Sequence, residues 1–219
     1  VKDEMTLITY NMQHSKKLNS ISNVFSNNKA KIIALNEVDS NLLRSSFVKQ
    51  YKYLADILEM NYSFGPTLKK RFGYYGNAIL TVYPIKKSIN HLLPKGEGIE
   101  QRALLEVIVN IPNIGESSIF VTHLSLNKNH REKELKWIEN YIKNINRPFV
   151  LMGDLNCELN VLAGYKGFND ELVTYPTRSS TDKIDNVFSN FIPNLDYEIK
   201  TLDLEVSDHL PLMIKVSHG

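Results

Sequence analysis

The sequence predicts an α/β sandwich, in which two sheets bury one face against each other and helices cover the outside. Three observations lead there. Short runs of β-forming residues recur from end to end. They fall into two groups with amphipathic helical segments between them. No Gly/Ser linker, low-complexity tract or fixed-period repeat divides the 219 residues. A length between one and two typical domains is then read as one domain covering residues 1–219.

Met5 to Tyr10 reads as the first strand. Leu18 to Lys29 follows as a helix, with Leu18, Ile21, Val24 and Phe25 on one face, and Lys31 to Leu35 is a short buried strand. A second helix is predicted over Ser45 to Met60, with Phe47, Tyr51, Leu54, Ala55 and Leu58 on one side. Asn77 to Val82, Lys86 to Leu93, Arg102 to Asn110 and Ser117 to Leu124, punctuated by Tyr83-Pro84 and by Pro and Gly clusters, read as an antiparallel meander. Asn129 to Ile145 is the clearest helix, charged on one face and apolar at Leu135, Ile138, Ile142 and Ile145; Pro148 then opens the buried strand Phe149 to Met152. Strands over Lys183 to Ser189, Tyr197 to Leu202 and Leu210 to Val216 complete the chain.

Composition narrows the class. Hydrophobic residues at 42% and charged residues at 23% are ordinary globular usage, which excludes a disordered tail, a collagen or a coiled coil. Runs such as Ser118 to Thr122 and Phe149 to Met152 fall far short of the roughly 20 apolar residues of a membrane helix. With 26 basic against 24 acidic residues, the net charge of +2 is too small to recruit nucleic acid by bulk electrostatics, so basic groups facing an anion must act locally. The single cysteine, Cys157, forms no internal disulfide and fits a reducing cytoplasm. Export after removal of a leader ahead of Val1 stays open, and the chain is expected to act as a monomer.

The polar residues that stand out sit at strand ends: Asn11 after the first strand, Asn36-Glu37 after the second, His123 near the end of the Ile119 strand, Asp154 and Asn156 after Phe149 to Met152, and Asp208-His209 before the last strand. Carboxylates, amides and imidazoles delivered to one rim of a sheet are what a hard cation and a phosphate require, since magnesium takes oxygen ligands and engages only one or two carboxylates beside water and substrate phosphate. Taken singly, Asn11 and Asn36 also read as turn residues, Glu37 with Asp39 as a solvated turn, and His123 as a satisfied core histidine. Gly153-Asp154-Leu155-Asn156 is harder to explain that way, because it places two polar side chains at i and i+2 above a fully apolar strand. Asp208-His209 pairs a carboxylate with a group titrating near neutrality. Asp185, inside an otherwise β-like segment, would be costly to bury without a partner, and a histidine would resolve that cost. No nucleophile elbow, phosphate-binding glycine loop, dinucleotide fingerprint or zinc-type histidine pair appears.

In order along the chain, Thr9-Tyr10-Asn11, Asn36-Glu37-Val38-Asp39, Tyr75-Gly76-Asn77-Ala78-Ile79-Leu80, Gln101-Arg102-Ala103, Thr122-His123-Leu124, Gly153-Asp154-Leu155-Asn156, Lys183-Ile184-Asp185 and Ser207-Asp208-His209-Leu210-Pro211 resemble the motifs of the endonuclease/exonuclease/phosphatase superfamily. That superfamily includes deoxyribonuclease I, abasic-site endonucleases, neutral sphingomyelinases and inositol polyphosphate 5-phosphatases. The resemblance implies a four-layer α/β/β/α sandwich of two mixed, largely antiparallel sheets, and a metal-dependent phosphoester hydrolase, with Mg2+ or alternatively Mn2+ or Ca2+. It implies that Glu37 is the main metal ligand, assisted by Asn11 and Asp208. By the same carry-over His209 activates water and is oriented by Asp185, Asp154 positions the water or handles the leaving-group proton, and Asn156 and His123 bind phosphoryl oxygens. Arg102 and Asn77 are carried over as substrate-side or supporting contacts.

The expected activity is therefore that of a phosphodiesterase or nuclease on a phosphodiester, with nucleic acid as a candidate substrate. The alternatives are a sphingomyelinase-like or inositol-phosphatase-like phosphoesterase and, last, a non-catalytic binding module. Asp39 stands where secreted deoxyribonucleases resemble one another in carrying an arginine, which argues against groove binding like theirs. The short motifs look most like those of the small bacterial metal-dependent hydrolases of the superfamily.

Overall fold

The computed structural model describes residues 4–217. In chain order its elements are β1 (Glu4–Asn11), α1 (Leu18–Asn27), β2 (Ala30–Ser40), α2 (Gln50–Leu58), β3 (Asn61–Lys69), β4 (Tyr74–Thr81), β5 (Ile85–Leu92), β6 (Ala103–Ile111), β7 (Gly115–His123), α3 (Lys128–Lys143), β8 (Phe149–Asp154), β9 (Val161–Leu162), β10 (Tyr165–Lys166), β11 (Asp185–Ser189), β12 (Asp196–Thr201) and β13 (Leu212–Ser217). One sheet has the order β12-β13-β1-β2-β4-β3, the second β11-β8-β7-β6-β5, and β9 and β10 form a separate small hairpin. Each large sheet is antiparallel except for one central parallel pair, β1 with β2 and β7 with β8, and each parallel pair is joined by a helix, α1 or α3.

Strand alternation sorts side chains into the layers of the sandwich. Leu7, Ile32, Ala34 and Ile79 of the first sheet meet Leu105, Val107, Val121, Val150 and Met152 of the second in an all-buried interior. The residues between them point outward: Ile8, Tyr10, Ile33 and Leu35 pack under α1 and α2 with Ile21, Phe25 and Leu54. Leu104, Phe120, Phe149 and Leu151 pack under α3 with Ile138 and Ile142. The expected α/β/β/α layering is thus borne out, with hydrophobic burial on both faces of each sheet supplying the cohesion. No helix among the described residues is long and apolar enough to cross a membrane.

Three points depart from expectation. The four strands read as one meander are divided: β4 belongs to the first sheet, and the chain crosses at Tyr83-Pro84 so that only β5, β6 and β7 form the meander of the second. Periodicity shows that a strand has two buried faces, not which sheet it joins. β3 was not foreseen, because Gly65 and Pro66 interrupt it and most of its residues are only half-buried or exposed at the sheet edge. The second helix is also shorter than expected, since a left-handed turn at Ser46 and Phe47 delays its start to Gln50.

The parallel pair β7·β8 requires close backbone approach at Gly153, where an added Cβ would lie 2.0 Å from the Thr122 carbonyl oxygen and where φ is 151°. Gly153→Ala is expected to lower the melting temperature by about 5–15 °C, read by thermal denaturation, because backbone on both sides must move.

Candidate active site

The C-terminal ends of the two parallel pairs lie on the same rim, and register brings Asn11 beside Asn36 on one sheet and His123 beside Asp154 on the other. The functional residues continue the inward-facing series of their strands: Asn36 follows Ile32 and Ala34, His123 follows Ile119 and Val121, Asp154 follows Val150 and Met152, and Asp185 precedes Val187. Glu37 has the wrong parity for that series. A bulge corrects it: Leu35 pairs with Ala78 but Val38 with Gly76, so Asn36 and Glu37 together oppose Asn77. Glu37 takes φ 55° in this bulge, a left-handed conformation uncommon outside glycine, and its side chain lines the cleft.

That cleft has a volume of about 370 Å³ and is bounded by Glu37, Tyr75, Arg102, His123, Asp154 and Asp208 among others, with His209 at its base. Asp154 Oδ2 is the hub. It accepts from Asn11 Nδ2 at 2.9 Å and lies 3.3 Å from His123 Nε2 and 3.4 Å from His209 Nε2. Burial opposes ionisation of Asp154, but His123, His209 and Asn11 outweigh it and hold its carboxyl well below the usual range. On the other side of the His209 ring, Nδ1 is 2.8 Å from Asp185 Oδ2, which also accepts from Thr174 Oγ1 at 2.6 Å. Burial pulls the His209 pKa down, yet Asp185 first and then Asp154 and Asp208 push it up to about 9. Burial raises Asp185. It also raises Asp208, with the neighbouring Glu37 and Asp154 charges adding to the effect.

The remaining expected residues divide. Asn156 lines the cleft and donates through Nδ2 to the Leu124 carbonyl at 2.6 Å. Arg102 lines it too, its Nη2 2.8 Å from Glu100 Oε2 and its buried Nε without a hydrogen-bond partner. Asn77 is buried and accepts from Asn36 Nδ2 at 2.9 Å. Asn11 faces Asp154 with its amide nitrogen and accepts the Gln13 backbone N–H at 3.1 Å with its oxygen. Asp39 points away, fully buried and held by both Nε and Nη2 of Arg44.

Several contributors have roles that sequence reasoning does not assign. Asn36 donates to Asn77 Oδ1 and to the Thr122 carbonyl and accepts the Asp154 backbone N–H at 3.0 Å, so one side chain joins both sheets. Tyr75 faces Glu37; burial and then that carboxylate push its phenol far above the ordinary range. Tyr175 lies against the His209 ring at 5.0 Å. Ser207 Oγ donates to the Asn11 carbonyl at 2.6 Å and accepts the His209 N–H at 3.1 Å. Asn36 and Tyr75 sit inside recognisable motifs, whereas Thr174 and Tyr175 come from a stretch with no pattern to mark them.

Ligand atoms of Glu37, His123 and Asp154 lie within 4.8 Å of one another, and Asp208 is close enough to feel the Glu37 and Asp154 charges. Carboxylates crowded at one opening, without a lysine among the cleft-lining residues, fit a hard divalent cation. The second cluster, Asp154, Asp185 and His209, is wholly buried and already closed by its own hydrogen bonds.

Fold and site together define a member of the endonuclease/exonuclease/phosphatase superfamily of phosphoester hydrolases. More narrowly, residues 6–177 match the model of the family described as PGAP2IP, C-terminal nuclease-like domain, and the chain belongs to that family. Among curated proteins it is similar to the uncharacterized protein YbhP of Escherichia coli strain K12, at 28% identity over 109 residues, covering 48% of this chain and 43% of YbhP. The match thus spans less than half the length of that relative. Among solved structures, an endonuclease/exonuclease/phosphatase family protein from Bacteroides thetaiotaomicron superposes with TM-score 0.77 at 14% identity, covering 100% of this chain and 99% of that one. Humanized D. rerio TDP2 gives TM-score 0.77 at 15% identity, covering 97% and 98% of the two chains. The mannosyl-6-phosphatase of Bacteroides thetaiotaomicron gives 0.74 at 16%, covering 97% and 99%. At these identities the likeness is one of fold.

Two outcomes follow from the geometry. Asn36→Asp would turn a carboxylate oxygen toward the Asn77 and Thr122 oxygens and is expected to cost about 2–4 kcal/mol in urea unfolding. The His209 shift predicts a pH effect. A pKa raised on folding gives stability that is complete below the unfolded value near 6.5 and is lost as pH rises through about 9. In EDTA, wild type should lose on the order of 3 kcal/mol between pH 6 and pH 10 relative to His209→Gln, measured by paired urea titrations.

Proposed function

We propose that the chain is a divalent-cation-dependent phosphodiesterase, built as a single domain, that hydrolyses its substrate by in-line attack of water on phosphorus. The observation that carries this reading is the His209 imidazole, held at Nδ1 by Asp185 at 2.8 Å, with Nε2 turned toward Asp154 in a cleft walled by Glu37 and Asp208. Asp185 fixes the tautomer and stabilises the imidazolium that forms, while Nε2 takes the proton of the attacking water. The water oxygen forms the new bond to phosphorus as the bond to the leaving oxygen breaks, so no covalent enzyme intermediate is required. Asp154 orients the water or handles the leaving-group proton. His123, Asn156 and Arg102 supply donors to the phosphoryl oxygens as charge develops there. Glu37, Asn11 and Asp208 would hold the cation, Mg2+ first and Mn2+ or Ca2+ as alternatives; when bound, it neutralises negative charge on the phosphoryl group and acts as a Lewis acid.

The family's nuclease-like description and the phosphatase name of one structural neighbour support phosphoester hydrolysis. Nucleic acid is one source of such a diester. A lipid headgroup is the second, and a set of exposed apolar side chains beside the cleft favours it.

Glu37→Ala and His209→Ala should each lower the turnover of a chromogenic phosphodiester at least about 100-fold. EDTA should abolish the turnover and Mg2+ should restore it in wild type. Activity within a few-fold of wild type in both variants, or turnover indifferent to EDTA, overturns the reading.

A further inference from the structure

Beyond Glu37 and Tyr75, β2 and β4 run on until Ser40 pairs with Tyr74, and two segments project past that pair: residues 41–49 and the turn 70–73 of the β3–β4 hairpin. They are fastened together. Asn41 Nδ2 donates to the Phe72 carbonyl at 2.8 Å, and the Phe47 and Phe72 rings meet edge to face at 5.8 Å. Leu43 is 67% exposed, Phe72 50% and Phe47 47%. Leu126, in the loop after β7, is 76% exposed and lines the cleft itself. That loop is held by Arg131 Nη1, which donates to the Ser125 and Leu126 carbonyls.

Nothing in the proposed hydrolysis uses these side chains, and core packing does not account for them. Ser46 and Phe47 both take left-handed backbone, φ 59° and 60°, which a bulky residue adopts only under constraint, yet the Phe47 ring it displays is half in solvent. The charges around the patch are one-sided. The hairpin from residue 61 to 74 has no Asp or Glu but carries Lys69, Lys70 and Arg71, and residues 41–49 add Lys49 and Arg44, the latter paired with Asp39, without an acid of their own. Lys69, Lys70 and Arg71 are exposed at the hairpin end. The acids nearby, Glu37 and Glu100, line the cleft, and Asp39 is buried against Arg44.

We propose that this rim docks on an anionic lipid bilayer. Leu43, Phe47, Phe72 and Leu126 enter the interface, and Lys69, Lys70 and Arg71 meet the headgroup phosphates. An apolar projection flanked by cations is what such an interface selects. A single nucleic-acid strand would instead need open aromatic faces for its bases. Here leucine has none, one face of Phe72 is covered by the Arg71 guanidinium at 5.0 Å, and Phe47 meets Phe72 edge to face. Docking stands on the rim alone; that the docked lipid supplies the cleaved diester rests on the hydrolase reading above.

The test is co-sedimentation of the full chain in EDTA, without turnover, on vesicles of phosphatidylglycerol and phosphatidylcholine and on vesicles of phosphatidylcholine alone. A fluorescent oligothymidylate is titrated in parallel. Wild type should partition onto the anionic vesicles. L43S/F47N/F72S should lower the partition coefficient at least about tenfold, while the melting temperature falls by no more than about 5 °C, since only one exposed ring contact is lost and Asn accepts left-handed backbone. K69Q/K70Q/R71Q should lower it about fivefold per cation removed, and only on the anionic vesicles. Wild type that stays in the supernatant, or variants that partition as wild type does, overturn the proposal. Loss of oligothymidylate binding in these variants, with wild type ignoring vesicles, overturns it in favour of nucleic acid. Since no catalysis is measured, a failed activity assay leaves this result standing.

Discussion

Both sheets meet mainly through aliphatic side chains, and aliphatic contact has no direction. At the rim, where direction matters, the joint is Asn36. Its fully buried amide reaches Asn77 on its own sheet and the Thr122 carbonyl and Asp154 N–H on the other, so it fixes how far apart and in what register the two strand ends stand. Asp154 inherits that placement, and through it so do Asn11, His123 and His209, which converge on one of its oxygens. Losing the Asn36 amide would strand a donor and two acceptors in the interior, a larger penalty than the net value of the bonds themselves.

Parity explains why so few residues build the site. A strand that places aliphatic side chains inward at every second position places whatever comes next in that series above the core, facing the opposite sheet. His123 and Asp154 reach the cleft, and Asn36 the joint beneath it, without positive φ of their own. Glu37 does not, and the chain accepts a bulge and left-handed backbone to turn it inward, compensated by the pairing that resumes at Val38. Left-handed backbone at the residue that breaks the alternation is evidence that its position matters beyond folding.

This logic also sets what could be read from the sequence. The strands that carry motifs were legible because apolar alternation and the polar residue that ends it are both local. The His209–Asp185 pairing was foreshadowed by the cost of burying Asp185 alone, and the structure places the two at 2.8 Å. Asn36 was not legible as a clamp, because an asparagine at a strand end looks the same whether it terminates a turn or spans two sheets. β3 and the crossover at Tyr83-Pro84 were missed for the same reason: edge position and sheet membership are set by distant strands. Thr174 and Tyr175, which support Asp185 and His209, lie in a stretch where neither period applies.

Charge balance adds a constraint that shape alone does not. Asp154, Asp185 and Asp208 act together on His209, and Glu37 stands beside Asp208, in a chain whose net charge is only +2. Lys69, Lys70 and Arg71 do not neutralise these acids, because they are exposed at the end of the hairpin and none of them lines the cleft. Within the cleft, Asp185 and then Asp154 and Asp208 favour the protonated imidazole and push the His209 pKa up to about 9 against the pull of burial. An imidazole that keeps its proton at neutral pH cannot accept one from water. In the proposed reaction, a cation held by Glu37 and Asp208 would take over the carboxylates' demand and let His209 act as the base. The electrostatics of the proposed base thus support the proposed cation site alongside the geometry of its ligands.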